Sequence, residues 1–343
     1  MELQEIIAMT RRLCEAPGTS GREDGAAKAA EELLAPLGPV TRNPLGSVLC
    51  CVNEGEPGAP HLMLEAHLDQ IGMVVTRLEK GGFLRVANVG GLDCRLLPAS
   101  PVTVHGKGGQ YSGVIASTPP HLCDGKEKPP KMEDILVDTG LSDEEAKAAF
   151  APGDPITLDG DFTLLANDLM LSPTQDDRVG CVAVIAAAKM LQEAKPRCKV
   201  TVCLSAQEET SGYGAGTAAF ALAPDMALLV DVSFGDGFGV KEHECGKMNG
   251  GVEIDLAPAV NRSIFDQLRQ LAQERGIPWQ VHAMGGRTGT DTDIVAASGK
   301  GVRCGLLSIP LRSMHTAVET VSAQDVLSAA RLMAEFAKEA KWG

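Results

Sequence analysis

Aromatic residues are scarce in this 343-residue chain, which has two Trp and two Tyr. Clefts that grip sugars usually stack them on aromatic faces, so the composition speaks against carbohydrate chemistry. Basic residues are also in deficit: 31 Lys and Arg stand against 45 Asp and Glu, for a formal net charge of −14. Phosphate backbones and anionic membrane surfaces would be repelled. No apolar run approaches the length of a bilayer span. The opening MELQEIIAMTRRLCEAPG is amphipathic where a secretory leader would place a basic stretch before an apolar block. The ten Cys (14, 50, 51, 94, 123, 181, 198, 203, 245 and 304) show no CxxC spacing and sit in apolar stretches. That pattern suits reduced, buried thiols rather than a disulfide framework. The expectation is a soluble, cytoplasmic chain of one or two domains with neither nucleic-acid nor membrane partners.

What is present is an alternation of short apolar runs and helical patterns. The runs at 62–66, 199–206, 226–230 and 301–309 are rich in Val, Leu and Ile and read as buried parallel strands. Helical periodicity marks 2–15, 22–36, 177–194, 212–222, 261–275, 290–298 and 322–340, and a further strand is expected near 47–53. Between about 71 and 165 the texture changes to short alternating stretches broken by glycines, at 72–78, 83–88, 101–106 and 111–117, with one helical patch at 142–150. That segment predicts a small β-barrel. The predicted fold class is therefore α/β, a mixed and mainly parallel sheet with helices on both faces. It divides into a first part of the α/β domain (1–70), an inserted barrel (71–165) and a second part (166–343).

Five distant patches place His, Asp or Glu just after apolar runs: AHLDQ (66–70), SPTQDDRVG (172–180), SAQEETSG (205–212), LLVDVSFGD (228–236) and RSMHTAVE (312–319). Strand ends on one side of an open α/β sheet share a crevice. There His67, Asp69, Glu208, Glu209, Asp231 and His315 would converge, and a set of imidazoles and carboxylates without thiolates suits hard or borderline divalent cations. Each residue alone has a plainer explanation. His67 and His315 could be satisfied polar residues, and Glu208 and Glu209 could be carboxylates at the N-terminus of the next helix. Asp176 and Asp177 could cap the helix that follows them, and Asp231 could simply end a buried strand. The joint occurrence favours a dinuclear metal site.

These patches, together with VGGLDCRLLPASPV (89–102), GVIASTPPHL (113–122), GDPITLDGDF (153–162) and GVRCGLLSIPLRSMHTAVE (301–319), resemble in order the tetrahedral-assembling dinuclear aminopeptidases. That family includes glutamyl, leucyl and lysyl aminopeptidases, and some members carry endoglucanase or cellulase labels. The resemblance spans nearly the whole chain. It implies two divalent ions per subunit, zinc in the first place and cobalt or manganese as alternatives. Asp176 would bridge both ions, His67 and Asp231 would complete one set of ligands, and Glu209 and His315 the other. Glu208 would be the general base and Asp69 the carboxylate that orients the His67 imidazole. The implied activity is removal of the N-terminal residue from short peptides, by a homo-oligomer whose dimers, built through the barrel, assemble into a dodecamer.

Gln70, the SPTQ segment (172–175) and Ser313-Met314 depart from the residues usual in that family, which points to a divergent subgroup. Asp291 and Asp293 read as caps of the helix after them, with Asp291 matching a family Thr-Asp pair. Arg178 reads as a partner of a site carboxylate or as a surface ion pair. His61, His105, His121, His243 and His282 belong to no pattern of chemistry. Two other classes of function stay open: glycoside hydrolysis, suggested by the endoglucanase labels, and a non-catalytic metal-binding assembly protein. Scarce aromatics disfavour the first, and a base at Glu208 has no use in the second.

Overall fold

The computed structural model describes residues 1–122 and 128–342, so Cys123 lies outside the described residues. Two helices, α1 (Leu3–Cys14) and α2 (Asp24–Leu34), precede strands β1 (Val40–Arg42), β2 (Val48–Asn53) and β3 (His61–His67). There follow β4 (Gly72–Leu78), β5 (Leu84–Val89), β6 (Pro101–Gly106), β7 (Gly109–Ile115), β8 (Leu136–Asp138), α3 (Asp143–Ala149) and β9 (Pro155–Leu158). The chain continues through β10 (Thr163–Leu164), β11 (Leu169–Ser172), α4 (Gln175–Ala194), β12 (Lys199–Ser205), α5 (Tyr213–Leu222) and β13 (Met226–Phe234). It closes with β14 (Val252–Leu256), α6 (Arg262–Arg275), β15 (Trp279–Ala283), α7 (Thr292–Ala296), β16 (Arg303–Arg312), β17 (Glu319–Ser322) and α8 (Ala323–Glu339).

Eleven strands form one mixed sheet in the order β1-β2-β12-β3-β13-β16-β17-β11-β10, with β14 joined to β16 and β15 to β14. The four strands read from continuous apolar runs, β12, β3, β13 and β16, are mutually parallel and form its centre. Such strands are covered on both faces, which is why their sequences are apolar without alternation. The flanking pairs are antiparallel, apart from β14 and β15, which run parallel to each other. Among the helices packed on the sheet, α4 is buried at every position from Gln175 to Ala188. It lies against β3 and β13 with α1 and α8 over it, which explains an apolar character all round the helix. Helix α6 starts where the Asn261 side chain accepts from the amides of Ser263 and Ile264, and it stops at Gly276 with φ of 61°.

Strands β4 to β9 close into a separate barrel in the order β4-β5-β8-β7-β6-β9. Its own core includes Met73, Val75, Leu84, Val86, Val104, Ile115, Val137 and Ile156. Four of these strands carry the alternation visible in the sequence, whereas β8 and β9 span three and four residues, too few to show a period. The barrel leaves the sheet just after β3 and the chain re-enters it at β10. The insertion therefore emerges directly beside His67.

Candidate active site

The parallel register decides what meets at the sheet's edge. Ser205 at the end of β12 stands opposite His67 at the end of β3, and Asp231 on β13 stands opposite Ser308 on β16. The turn after β12 therefore lies over the segment after β3. In that turn Gln207 adopts φ of 65°, and the amides of Glu208 and Glu209 donate to the two oxygens of Asp69 at 2.9 and 3.1 Å. Asp176 comes from the irregular start of α4, where its φ and ψ of −75° and 113° are not helical and its peptide bond to Asp177 is cis. His315 follows β16 in a loop where Ser313 and His315 itself have φ of 59° and 60°.

Six of the residues named from sequence, His67, Asp176, Glu208, Glu209, Asp231 and His315, line one cleft of about 850 Å³. The seventh, Asp69, is fully buried beneath them. Asp176 stands between the two imidazoles: one oxygen is 3.0 Å from Nε2 of His67 and the other 3.3 Å from Nε2 of His315. Nε2 of His67 is also 3.8 Å from Asp231 and 3.9 Å from Glu208, and Nε2 of His315 is 3.5 Å from Glu209. Ligand atoms of His67, Asp176 and Glu209 lie within 4.8 Å of one another, and so do those of His67, Asp177 and Asp231.

So many carboxyls in so little water disfavour their own ionisation. Burial pushes Glu208 up to about 8, and burial with the charge of Asp176 pushes Glu209 and Asp231 well above the usual carboxylate range. Asp176 goes the other way: burial opposes its charge, but hydrogen bonds from His315 and His67 hold it below that range. Oε1 of Glu209 is buried without a hydrogen-bond partner among the described residues. Buried polar atoms are rarely left so, and a compensating cation among these oxygens and ring nitrogens removes both problems at once. The donor set fits a divalent ion.

Two residues outside the predicted ligand set complete the arrangement. Glu319, buried, accepts from the backbone N–H of His315 at 2.7 Å and from that of Asp176 at 3.0 Å, so it ties together two residues that face each other. It stands four residues after His315 in the same patch, which is the one signal the sequence offered. Asp177 accepts from Gly180 N–H at 3.0 Å, a helix-capping bond, while its other oxygen is buried without a partner. Capping therefore holds for Asp177 and not for Asp176.

Other expectations are corrected. Asp291 does not cap α7; its buried side chain accepts from the Ser205 hydroxyl at 2.6 Å on the neighbouring strand. Asp293 accepts instead from Thr288 N–H at 3.1 Å in the preceding loop. Arg178 makes neither a carboxylate pair nor a surface ion pair. It is fully buried and donates to the carbonyls of Leu13 and Ala16 and to the side-chain oxygen of Gln70. Gln70 thus anchors the guanidinium as a neutral acceptor, a role its amide serves without adding another buried charge. His282 does have a companion, the buried carboxylate of Asp255.

A family model described as M42 glutamyl aminopeptidase matches residues 46–332. The chain belongs to this family and is an enzyme, a peptide hydrolase of the aminopeptidase class. It is 30% identical over 340 residues to the lysyl aminopeptidase of Pyrococcus furiosus, covering 97% of each chain. An aminopeptidase from the archaeon Desulfurococcus kamchatkensis is similar in structure, with a TM-score of 0.92 and 31% identity over 98% of this chain and 96% of the other. The TET1 peptidase of Pyrococcus horikoshii, described as able to assemble into a tetrahedron or a large octahedral shell, matches with a TM-score of 0.86 and 28% identity over 97% and 99%.

Proposed function

We propose that the chain is a cation-dependent aminopeptidase that removes the N-terminal residue of short peptides, using two divalent ions held in the cleft. The observation that carries the reading is Asp176 placed between His67 and His315, each imidazole flanked by a further carboxylate. His67 and Asp231 would hold one ion, Glu209 and His315 the other, and Asp176 would be shared. Zinc heads the candidates, with cobalt and manganese accepted by the same donors. When bound, such ions supply Lewis acidity toward water and the scissile carbonyl.

The remaining chemistry belongs to the chain. Glu208 takes a proton from the attacking water and returns it to the leaving amine. Asp69 fixes that base through its backbone amide and keeps the His67 ring in place from the other side, at 3.5 Å from Nδ1. The peptide's free α-amino group finds acceptors among the site carboxylates, which confines cleavage to the first bond. By analogy with the relatives' assemblies we also propose that the barrel pairs two chains and that such dimers build a dodecamer. No observation favours sugar hydrolysis: Phe234 is the one Phe, Tyr or Trp ring among the described residues that line the cleft.

The test is hydrolysis of amino-acid p-nitroanilides and of free and amino-blocked peptides by metal-stripped protein titrated with zinc, cobalt or manganese. Single residues should be released from free N-termini only, and only with metal. Glu208→Gln should lower kcat by about 10²–10⁴-fold while bound metal stays the same. Absence of turnover on the whole panel with both ions bound would overturn the proposal.

A further inference from the structure

The cleft has a second wall, away from the cluster, where strands β16, β14 and β15 run side by side. On it His282 of β15 faces Asp255 of β14 across the ladder, and its Nδ1 is 2.8 Å from the carboxylate. Asp255 is fully buried, and its second oxygen has no hydrogen-bond partner among the described residues. His282 itself is about one-third exposed and lines the cleft together with Ser308. With Nδ1–H committed to Asp255, the ring presents Nε2 to the cleft, and Nε2 makes no hydrogen bond among the described residues.

A buried carboxylate without a counter-charge is costly, and no Lys or Arg among the described residues lines this cleft. The hydrogen bond that His282 donates to Asp255 raises the imidazole toward its charged form, with burial opposing. His243, the other imidazole at the cleft besides the clustered pair, is an exposed rim residue beside Glu244. His282 is therefore the charge-assisted donor of the far wall, aimed by the carboxylate behind it. Such a donor recognises an anion, and the anion every free peptide carries is a carboxylate.

Distance decides which carboxylate. From β13, which bears Asp231, to β15 is three strand spacings, about 14 Å at ~4.8 Å each. An extended tripeptide spans about 10 Å at ~3.3 Å per residue, whereas an N-terminal Glu side chain reaches only ~5 Å from its own backbone. We propose that His282, positioned by Asp255, binds the C-terminal carboxylate of a tripeptide whose N-terminal residue lies at the clustered carboxylates and histidines. This rests on the function proposed above and adds to it a preference for substrate length.

The experiment compares Leu-Gly-Gly with its C-terminal amide, and Glu-p-nitroanilide with Leu-p-nitroanilide, for the wild type, His282→Gln and Asp255→Asn, all metal-loaded. The wild type should favour the free acid over the amide by about tenfold or more in kcat/KM, as a charge-assisted hydrogen bond does. His282→Gln should bring that ratio close to one, chiefly through KM, and Asp255→Asn should move it in the same direction. Equal use of acid and amide by the wild type overturns the proposal, as does an equal fall on both in His282→Gln. Loss confined to Glu-p-nitroanilide overturns it too, and assigns the residue to acidic N-terminal side chains. Equilibrium binding of the acid and the amide to metal-loaded Glu208→Gln, with and without His282→Gln, reads the same ratio without turnover. Failure of the proposed reaction therefore cannot be mistaken for failure of this site.

Discussion

Asp69 shows how one carboxylate serves several neighbours. It is fully buried, and its two oxygens accept from consecutive amides, those of Glu208 and Glu209, so the proposed base and a proposed ligand share one anchor. In Asp69→Asn one acceptor becomes an NH2 group that meets an N–H donor face to face. We expect kcat to fall more than KM changes, and cation affinity to drop by about 10–100-fold, as for other residues that orient ligands; steady-state kinetics and metal titration would show both. The sequence made Asp69 legible as a carboxylate two positions after a histidine. It could not show its partners, because they are backbone amides 139 and 140 residues away, and a backbone amide leaves no mark in residue type. Arg178 was opaque for the same reason: its acceptors are two carbonyls and a neutral amide rather than an opposite charge.

At the scale of elements, helix α5 holds the turn that carries Glu208. A Cβ added to Gly214 would stand 2.1 Å from the carbonyl oxygen of Ala206 and 2.6 Å from its nitrogen. Ser47 Oγ lies 2.7 Å away as well, but the two nearer atoms are backbone at the strand end that leads into the turn. Gly214→Ala should destabilise the fold by about 1–3 kcal/mol, as overpacking does, and should also cut kcat, since the displaced backbone is the one that aims Glu208. A melting curve and a kinetic assay on the same sample would check this, and a stability loss with full activity would contradict it. The parallel centre of the sheet was legible because strands covered on both faces are written as unbroken apolar runs. Strands β14, β15 and β17 were not, being short and flanking, and with them went the wall that carries His282. The convergence of the five patches was legible for a topological reason: in a parallel sheet every strand ends on the same side, so residues after separate apolar runs share an edge.

For the whole molecule the concentration of buried acid sets the response to pH. Burial pushes Glu65 and Glu208 each up to about 8, against 4.5 for the free side chain. In the folded chain they keep protons that the unfolded chain has released. Their stabilising contribution is thus complete below about 4.5 and is lost as pH rises through about 8. Metal-stripped protein should melt at a lower temperature at pH 8 than at pH 6, and a divalent cation, by binding the folded state alone, should restore more at pH 8. Differential scanning calorimetry with and without chelator would decide it; a metal-free Tm that climbs between pH 6 and pH 8 would contradict it.

The clustered residues run from His67, ahead of the barrel, to His315, beyond the last long strand, and Glu319 ties the final segment to Asp176. No stretch of chain holds a usable subset, and β16 must dock beside β13 before His315 has anything to face. Such a layout works as a safety interlock. On the proposed site, a chain still being made, or one cut before His315, would carry most of the machinery and none of the activity, so the power to trim peptides would come into being only once the last of these segments is in place.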